Sequence, residues 1–384
     1  MCPLFSPPLF MQRYQFVVDF VQQHVPKKVL DLGCADCRLL EKLKYHGNGV
    51  ELLAGVDKES SAMRTRMHSF APLSSDYLQP RTGPLAIELY EGSVTQPDPS
   101  TLGFDLVTCI ELIEHLHLEE VEMFSEVLFG FMAPSAVIVS TPNADFNPLL
   151  PGLVGFRHPD HKFEWSREQF QLWALRQCEI FGYTVNFTGV GVLAESNTDV
   201  GFCSQIAVFN QAPSLQNSAV HHSREEPTVY RLLYSVVYPS LSDNNILQKT
   251  LVNEVLCRAE LVKRSWLSGE WVAKTAPEPY MSGSSVCVSL LDVWSCPRVR
   301  SLCGTLRRFT EALVGEPQVV LTPAREAIIV PADDEEEDDD NEEEEEDEDR
   351  QGTETRWTTS VTTEDWDVEI PHNLNSNLHG ARYG

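Results

Sequence analysis

The sequence lacks any apolar run long enough to span a membrane. Its first eleven residues are apolar but carry no basic segment, so we do not predict a secretory signal. The ten cysteines are scattered and form no regular framework, which is typical of proteins kept in a reducing compartment. We therefore expect a soluble cytoplasmic protein without membrane contact.

Basic residues are also scarce: 29 Lys and Arg stand against 57 Asp and Glu, for a formal net charge of -28. Sixteen of the acids lie in the run 333–349, and the remaining chain carries about -12. The acid run cannot bury a core, so we predict disorder there, either as a solubilising tail or as a ligand for a basic partner. The rest of the chain is still acidic, so any nucleic-acid affinity must come from local contacts.

Five short apolar runs in the first half predict an α/β fold with a doubly wound, Rossmann-like sheet. Each is followed by glycine or a polar residue, and ligands of such sheets bind at the carboxyl ends of the strands. The runs are Val29–Leu32, Leu52–Asp57, Ala86–Tyr90, Phe104–Ile110 and Ala136–Ser140. The residues at their ends are Gly33, Asp57, Ser93, Glu111 and Asn143. One crevice can therefore hold a cofactor together with other ligands.

The glycine loop after the first run lacks the dinucleotide pattern G-x-G-x-x-G and reads Gly33-Cys-Ala-Asp-Cys-Arg38. Asp36 would repel a pyrophosphate, whereas S-adenosylmethionine has no phosphate and carries a cationic amino group. We therefore favour S-adenosylmethionine over NAD, with Asp57 placed to accept hydrogen bonds from the ribose. Cys34 and Cys37 have no second C-x-x-C pair, so we interpret them as two loop thiols rather than a zinc or redox site.

Two segments offer metal ligands. The first, Cys109–His117, supplies Glu111, Glu114 and His115, which share one face if the segment is helical. The second, His158–Trp165, can supply His161. Two carboxylates and two imidazoles suit a divalent metal. Acids in a helix's first turn also complement the helix dipole, which is the alternative interpretation.

Two further histidines, His117 and His158, lie near these segments, but we do not predict them as ligands. In and beside the second segment, Arg157, Lys162 and Arg167 are candidates to meet an RNA backbone. Phe163 and Trp165 could stack on a base. For Trp165 we favour core packing.

Taken together, these motifs resemble those of the small-RNA 3′-terminal 2′-O-methyltransferases, with the animal piRNA branch as the closest likeness. The resemblance covers roughly residues 10–210. It is carried by Asp31-Leu-Gly-Cys-Ala-Asp36, Gly55-Val-Asp57, Glu91-Gly-Ser93, Glu111-Leu-Ile-Glu-His115, Ser140-Thr-Pro-Asn143 and Asp160-His-Lys-Phe-Glu-Trp165. The chain departs from many methyltransferases at Ala35, where they have glycine.

The resemblance implies a class I S-adenosylmethionine-dependent methyltransferase that acts on the 3′ end of small single-stranded RNA. It further implies that the Mg²⁺ ligands are Glu111, Glu114, His115 and His161. The implied cofactor-binding residues are Asp31, Gly33, Asp36, Asp57 and Ser93. A Piwi-class Argonaute as delivering partner and a germ-granule location follow from the same likeness, and we expect a monomer.

A metal bound to both terminal ribose oxygens would activate the 2′-hydroxyl, with His115 as a possible base. Because imidazole suits Mn²⁺ or Co²⁺ better than Mg²⁺, we expect these ions to substitute for Mg²⁺. Two other functions remain open: a metal-dependent methyltransferase of small diols, in the manner of catechol methyltransferases, and a catalytically inactive scaffold with this fold.

The chain divides into four predicted parts. Residues 1–212 form the methyltransferase domain, 213–227 a linker, 228–331 a region of uncertain fold and 332–384 the disordered acidic tail. Strands near Tyr183–Gly189 and Phe202–Phe209 should complete the sheet. The third part contains one predicted long helix, Asn245–Arg264.

Overall fold

The computed structural model describes residues 4–46, 49–192, 200–212, 228–272 and 276–332. They form two units: residues up to 71 with 85–237, and residues 72–84 with 238–332. The predicted linker at 213–227 and the predicted acidic tail, apart from Ala332, lie outside the described residues. Within the described ranges, no helix is both long and apolar enough to cross a bilayer.

The first unit is built on one eight-stranded sheet with the order β6-β7-β5-β4-β1-β2-β3-β8. Strands β1 to β5 pair in parallel, whereas β6, β7 and β8 are antiparallel to their neighbours. The five predicted parallel strands are thus confirmed, as are the two later strands. The strands are β1 Lys28–Leu32, β2 Leu52–Asp57, β3 Ala86–Glu91, β4 Leu106–Ile110, β5 Ala136–Pro142, β6 Tyr183–Val190, β7 Ser204–Gln211 and β8 Arg231–Val237.

Ten α-helices accompany the strands in the described part of the chain. They are α1 Leu9–His24, α2 Arg38–His46, α3 Ser60–Arg66, α4 Ser74–Leu78, α5 Leu118–Ser125, α6 Arg167–Phe181, α7 Asn244–Leu267, α8 Leu290–Trp294, α9 Pro297–Cys303 and α10 Leu306–Leu313. A π-helical turn, Glu126–Met132, extends α5. Helix α6 buries Phe170, Trp173 and Ala174 in the main core.

Strand β1 lies between β2 and β4. After β1 the chain adds β2 and β3 on one side, and it then returns to add β4 and β5 on the other side. Crevices at such a switch point are where open α/β sheets bind ligands. Gly33 directly follows β1 and Glu111 directly follows β4. The sheet order therefore brings the predicted cofactor loop and the first predicted metal segment to one edge.

Strand β8 extends the sheet beyond the predicted domain boundary. It pairs with β3 along its whole length, from Arg231 opposite Glu91 to Val237 opposite Ala86. The predicted boundaries end the first domain at 212 and begin the next region at 228. The structure places residues 228–237 with the first unit, because β8 pairs with β3. This partner lies about 140 residues earlier in the chain.

The second unit gives a definite fold to the region whose fold the sequence left open. Helix α7 confirms the predicted helix and packs on a three-stranded antiparallel sheet of order β11-β10-β9. These strands are β9 Tyr280–Ser282, β10 Ser285–Ser289 and β11 Ala327–Pro331. A separate core joins these elements with α8 to α10, around Val255, Val288, Val293, Phe309 and Ile328.

Candidate active site

The loop after β1 is shaped by left-handed backbone at Gly33, Ala35 and Cys37, with φ of 73°, 45° and 63°. Ala35 thus occupies a conformation that favours glycine. Its N–H donates to Asp57 Oδ2 at 2.9 Å, which joins the loop to the end of β2. A Cβ at Gly33 would lie 2.7 Å from the Leu112 side chain, so the loop packs directly against the first metal segment. The structure therefore brings Gly33, Asp57 and this segment together.

The acids of the predicted cofactor site have different surroundings. Asp31 is buried and accepts from Thr108 Oγ1 at 2.6 Å. Burial raises its pKa to about 7, a hydrogen bond from Thr108 opposes this, and the charge of Asp57 adds to it. Asp36 instead pairs with Arg38 Nε at 2.7 Å and with a second arginine, so its charge is already balanced. Asp31, whose charged form is disfavoured by burial, is thus the acid of this pair that a cationic ligand would stabilise more.

Ser93 follows β3 in a short turn, where its Oγ lies 2.8 Å from Thr95 Oγ1. The two loop thiols, Cys34 and Cys37, are buried with their Sγ atoms 3.9 Å apart. The hydrogen bond to Cys37, together with burial, raises the pKa of Cys34 well above its ordinary value. A thiol held protonated in this way is a poor nucleophile and metal ligand, in agreement with the interpretation as loop thiols.

The first metal segment is not helical throughout, which was the condition for its three candidate ligands to share one face. Glu111 has a left-handed φ of 51°, a single 3-10 turn covers Ile113–His115, and α5 begins only at Leu118. Three- and four-residue spacing therefore does not put the ligands on one helical face. The physical reason is tertiary: the Glu111 N–H bonds to both the carbonyl and the hydroxyl of Ser140 on β5, which turns the chain out of helical geometry.

The two glutamates are held by the ends of β5 and β7. Glu111 Oε1 accepts from Ser140 Oγ at 2.7 Å and from Ser204 Oγ at 2.8 Å, and Oε2 lies 3.5 Å from Arg13. Glu114 is completely buried and accepts from Thr141 Oγ1 at 3.0 Å. Carboxylates fixed in this way are preorganised, because their orientation is set before any ligand binds.

Three imidazoles from the two segments converge. The donor atoms of His115, His158 and His161 lie within 4.8 Å of one another. The ring centroids of His115 and His161 are 4.9 Å apart. Lys162 N–H donates to the Glu114 carbonyl at 2.8 Å and ties the second segment to the first. The predicted meeting of His115 and His161 is thus observed, and His158 joins them because a turn places it beside His161.

The hydrogen bonds of these imidazoles distinguish their roles. His161 Nδ1 donates to buried Glu164 at 2.6 Å, and His115 Nδ1 donates to Asp160 at 3.0 Å. A neutral imidazole that donates from Nδ1 carries its lone pair on Nε2, as a metal ligand requires. His158 Nδ1 instead accepts from the Asp160 N–H at 3.1 Å, which puts its proton on Nε2. His115 and His161 therefore carry lone pairs on Nε2 that could bind a metal, whereas His158 carries a hydrogen-bond donor there.

The supporting carboxylates remain ionised. Hydrogen bonds from Lys162 and then from His115 lower the pKa of Asp160 to about 2. Burial raises the pKa of Glu164, but hydrogen bonds from His161, Asn147 and Arg157 outweigh it and leave that pKa below its ordinary value. Two carboxylates and two oriented imidazoles are a donor set that suits a divalent cation, and Glu111, Glu114, His115 and His161 would hold it. Among the described residues, the three donor atoms that lie within 4.8 Å of one another are those of His115, His158 and His161, without a carboxylate.

Arg157 has a structural role that the sequence did not predict. It was a candidate for RNA-backbone contact, but its side chain is buried. Its guanidinium donates to the carbonyls of Asn143 at 2.6 Å and Cys203 at 2.9 Å. A planar group with five donors satisfies such carbonyls at strand ends, so this residue holds the second segment to the sheet.

The other flanking residues divide between surface and core. Lys162 pairs with Asp160 at 2.9 Å, and Arg167 is exposed at the start of α6. Phe163 is buried and its ring centroid lies 4.5 Å from that of Trp165. Trp165 packs against the main core, which agrees with the core interpretation of this residue.

Comparison with known proteins adds independent information. The family model described as HENMT1 C-terminal domain matches residues 268–332, within the second unit. A Gallus gallus protein named Small RNA 2′-O-methyltransferase is 45% identical over 343 residues, covering 81% of this chain and 91% of that protein. A Xenopus tropicalis protein of the same name is 41% identical over 347 residues, covering 81% and 93%. The crystal structure of small RNA methyltransferase HEN1 matches with a TM-score of 0.52 and 30% identity, covering 62% of this chain and 28% of that one.

Proposed function

Because the chain belongs to the small RNA 2′-O-methyltransferase family, we propose that it methylates the 2′-hydroxyl of the 3′-terminal nucleotide of small single-stranded RNAs. Its first unit has the class I methyltransferase fold, and S-adenosylmethionine is the methyl donor. The finer proposal is that the reaction needs a divalent metal, that piRNA-like RNAs are the substrates, and that methylation protects their 3′ ends.

One observation carries this proposal: the packing of Leu112 against Gly33. Leu112 lies between Glu111 and Glu114 in the sequence. Gly33 is the first residue of the loop after β1, and this loop is joined to Asp57 by the hydrogen bond from the Ala35 N–H. A methyl donor on that loop and a ribose held by the glutamates would therefore be neighbours. Methyl transfer needs this adjacency, because in-line attack depends mostly on alignment.

A divalent cation held by Glu111, Glu114, His115 and His161 would supply Lewis acidity and so lower the pKa of a ribose hydroxyl. The chain's own residues do the rest. Glu164 and Asp160 orient His161 and His115, and Ser140 and Ser204 orient Glu111. His158, with its proton on Nε2, is placed to donate to a phosphate or ribose oxygen. Because two vicinal hydroxyls are needed, a 2′-O-methyl or 3′-phosphate end should not react.

The test is transfer of labelled methyl from S-adenosylmethionine to a short single-stranded RNA, with and without EDTA. A matched RNA ending in a 2′-deoxynucleotide is the substrate control. Label on the free-ended RNA alone, lost with EDTA and restored by Mn²⁺, Co²⁺ or Mg²⁺, is the expected result. Label that survives EDTA would refute metal dependence, and restoration by Mg²⁺ alone would contradict the imidazole ligands.

Other outcomes identify the competing functions. Methylation of catechols with no methylation of RNA would indicate a small-diol enzyme. Binding of S-adenosylmethionine without turnover on any substrate would indicate a scaffold. The variant His161→Ala should lose metal-dependent transfer, whereas His117→Asn should keep it, since His117 is an exposed residue at the start of α5.

We also propose that a Piwi-class Argonaute presents the RNA, that the enzyme acts as a monomer and that it works in the cytoplasm, including germ granules. The acidic balance of the chain motivates the first point, because weak phosphate attraction makes a delivering partner useful. Transfer to Argonaute-bound RNA should be faster than to the same RNA alone; equal rates would remove the need for the partner. Sedimentation and imaging of the tagged chain test the other two points.

A further inference from the structure

We propose that Tyr230, at the entry to β8, is a positioning residue for the cofactor turn between Gly92 and Gln96. The inference rests on the proposed use of S-adenosylmethionine, for which Ser93 in this turn is an implied contact. Tyr230 lies far from this turn in the sequence, and the family resemblance quoted above ends before it. Its role comes from three contacts.

The first contact is between the Tyr230 ring and the Gly92 backbone. A Cβ built on Gly92 would lie 2.3 Å from Cδ1 and 2.5 Å from Cγ of the ring. An aromatic ring in a packed site cannot yield by bending, so only glycine allows this approach. Gly92 N–H in turn donates to the Asp57 carbonyl at 3.0 Å. The ring therefore packs against the residue whose hydrogen bond joins the turn to the end of β2.

The second contact is made by the Tyr230 hydroxyl. It lies 2.8 Å from the Ser93 carbonyl oxygen and 3.1 Å from that of Gln96, and it donates to this pair. Tyr230 is buried, and burial and then the charge of Asp98 raise its pKa, so the hydroxyl keeps its proton. One donor shared by the two ends of a turn fixes the spacing of those ends.

The third contact anchors Tyr230 itself. Asp98, completely buried, accepts from the backbone N–H groups of Val229 at 2.6 Å and Tyr230 at 2.7 Å. Its other oxygen accepts from the N–H and hydroxyl of Ser100. A carboxylate with four donors holds the start of β8 rigidly against the segment that follows the turn. The tyrosine is thus fixed independently of any ligand.

These contacts give a specific consequence. Tyr230 spans the turn that carries Ser93 and that is joined to Asp57 through Gly92, so loss of the hydroxyl should weaken cofactor binding more than it lowers the stability of the fold. Tyr183 offers a matched control. It is also buried, and its hydroxyl donates to a backbone carbonyl, that of Pro134, at 2.7 Å.

The experiment compares Tyr230→Phe with Tyr183→Phe in the full chain. Calorimetry measures the dissociation constant of S-adenosylmethionine. Methyl transfer to RNA gives the KM for S-adenosylmethionine and kcat, and thermal unfolding without ligand gives the Tm. We expect Tyr230→Phe to raise the dissociation constant and KM roughly five- to tenfold, with kcat within about twofold, as loss of one hydrogen bond implies. Tyr183→Phe should lower the Tm about as much as Tyr230→Phe does, because each variant loses one buried hydroxyl. It should leave the dissociation constant of S-adenosylmethionine unchanged.

An unchanged dissociation constant for Tyr230→Phe would overturn the inference, and so would an equal loss of affinity in Tyr183→Phe. If Tyr230→Phe does not fold, Gly92→Ala probes the same contact from the turn side. It should weaken cofactor binding, whereas Gly83→Ala, where nothing lies within 4 Å of the new Cβ, should not. A wild-type chain that binds S-adenosylmethionine without methylating RNA would refute the proposed function and still let the binding data decide this inference.

Discussion

Replacing Asp31 by asparagine should stabilise the cofactor-free protein at high pH and weaken its affinity for S-adenosylmethionine. Asp31 is 4% exposed, and burial is the main cause that raises its pKa from 3.8 to about 7. A carboxyl whose pKa is higher in the folded state binds its proton more tightly there. The wild-type stability should therefore fall as pH rises between about 4 and 7 and stay level above that window.

The magnitude follows from the displacement of the pKa. A change from 3.8 to about 7 corresponds to at most ~4 kcal/mol of unfolding free energy. Asparagine keeps an acceptor for Thr108 but carries no charge, so the variant should lack this pH dependence. Because the amino group of S-adenosylmethionine is cationic, wild-type affinity for it should also rise with pH through 7.

The assay is urea unfolding of the cofactor-free protein at several pH values from 5 to about 8.5, for wild type and Asp31→Asn. Asp19→Asn is the control, since Asp19 is exposed on α1 and accepts a hydrogen bond from Gln15 one helical turn earlier. Its pH profile should follow wild type. If Asp31→Asn kept the wild-type slope between pH 5 and 7, the burial cost assigned to this carboxyl would be wrong.

Three further predictions concern the site. Glu164→Gln should weaken Mn²⁺ binding, measured by calorimetry, by roughly 10- to 100-fold, because it removes the carboxylate that orients the His161 imidazole. The control Glu168→Gln, at an exposed position, should leave Mn²⁺ binding unchanged. His158→Ala should slow methyl transfer by about tenfold or more yet leave the Mn²⁺ dissociation constant within about threefold, and a large loss of metal affinity would make His158 a ligand. Ala35→Gly should leave the unfolding free energy unchanged or raise it by up to ~1 kcal/mol in urea titration, since φ at this position is 45°; a clear loss would show that the loop is not strained.

The parallel strands could be predicted because each is encoded locally. Val29–Leu32 and Leu52–Asp57 are short apolar runs that end at glycine or an acid, and both of their faces are buried. The backbone conformation of the proposed metal segment, in contrast, could not be predicted from the sequence. Glu111 leaves helical geometry because Ser140, on a strand 29 residues later, binds its N–H. No pattern within the segment itself contains that information.

Strand β8 shows the same limit at the scale of a domain. Its residues are good strand formers, but its partner β3 and its anchor Asp98 lie more than 130 residues earlier. Charge alone was equally uninformative for Arg157, because an arginine beside acids and histidines has the same sequence signature whether it binds phosphate or backbone carbonyls. Burial decided between the two.

Arg157 also explains how the sheet sets the geometry of the proposed metal ligands. Its guanidinium is fixed by carbonyls at the ends of β5 and β7, and its backbone N–H donates to Glu164 at 2.6 Å. Glu164 then orients His161, while Ser140 and Ser204, from the same two strands, orient Glu111. Both an imidazole and a carboxylate of the cluster therefore take their positions from the register of β5 and β7. A site built from two loops thus gains the rigidity of the sheet, which suits a reaction whose rate depends on alignment.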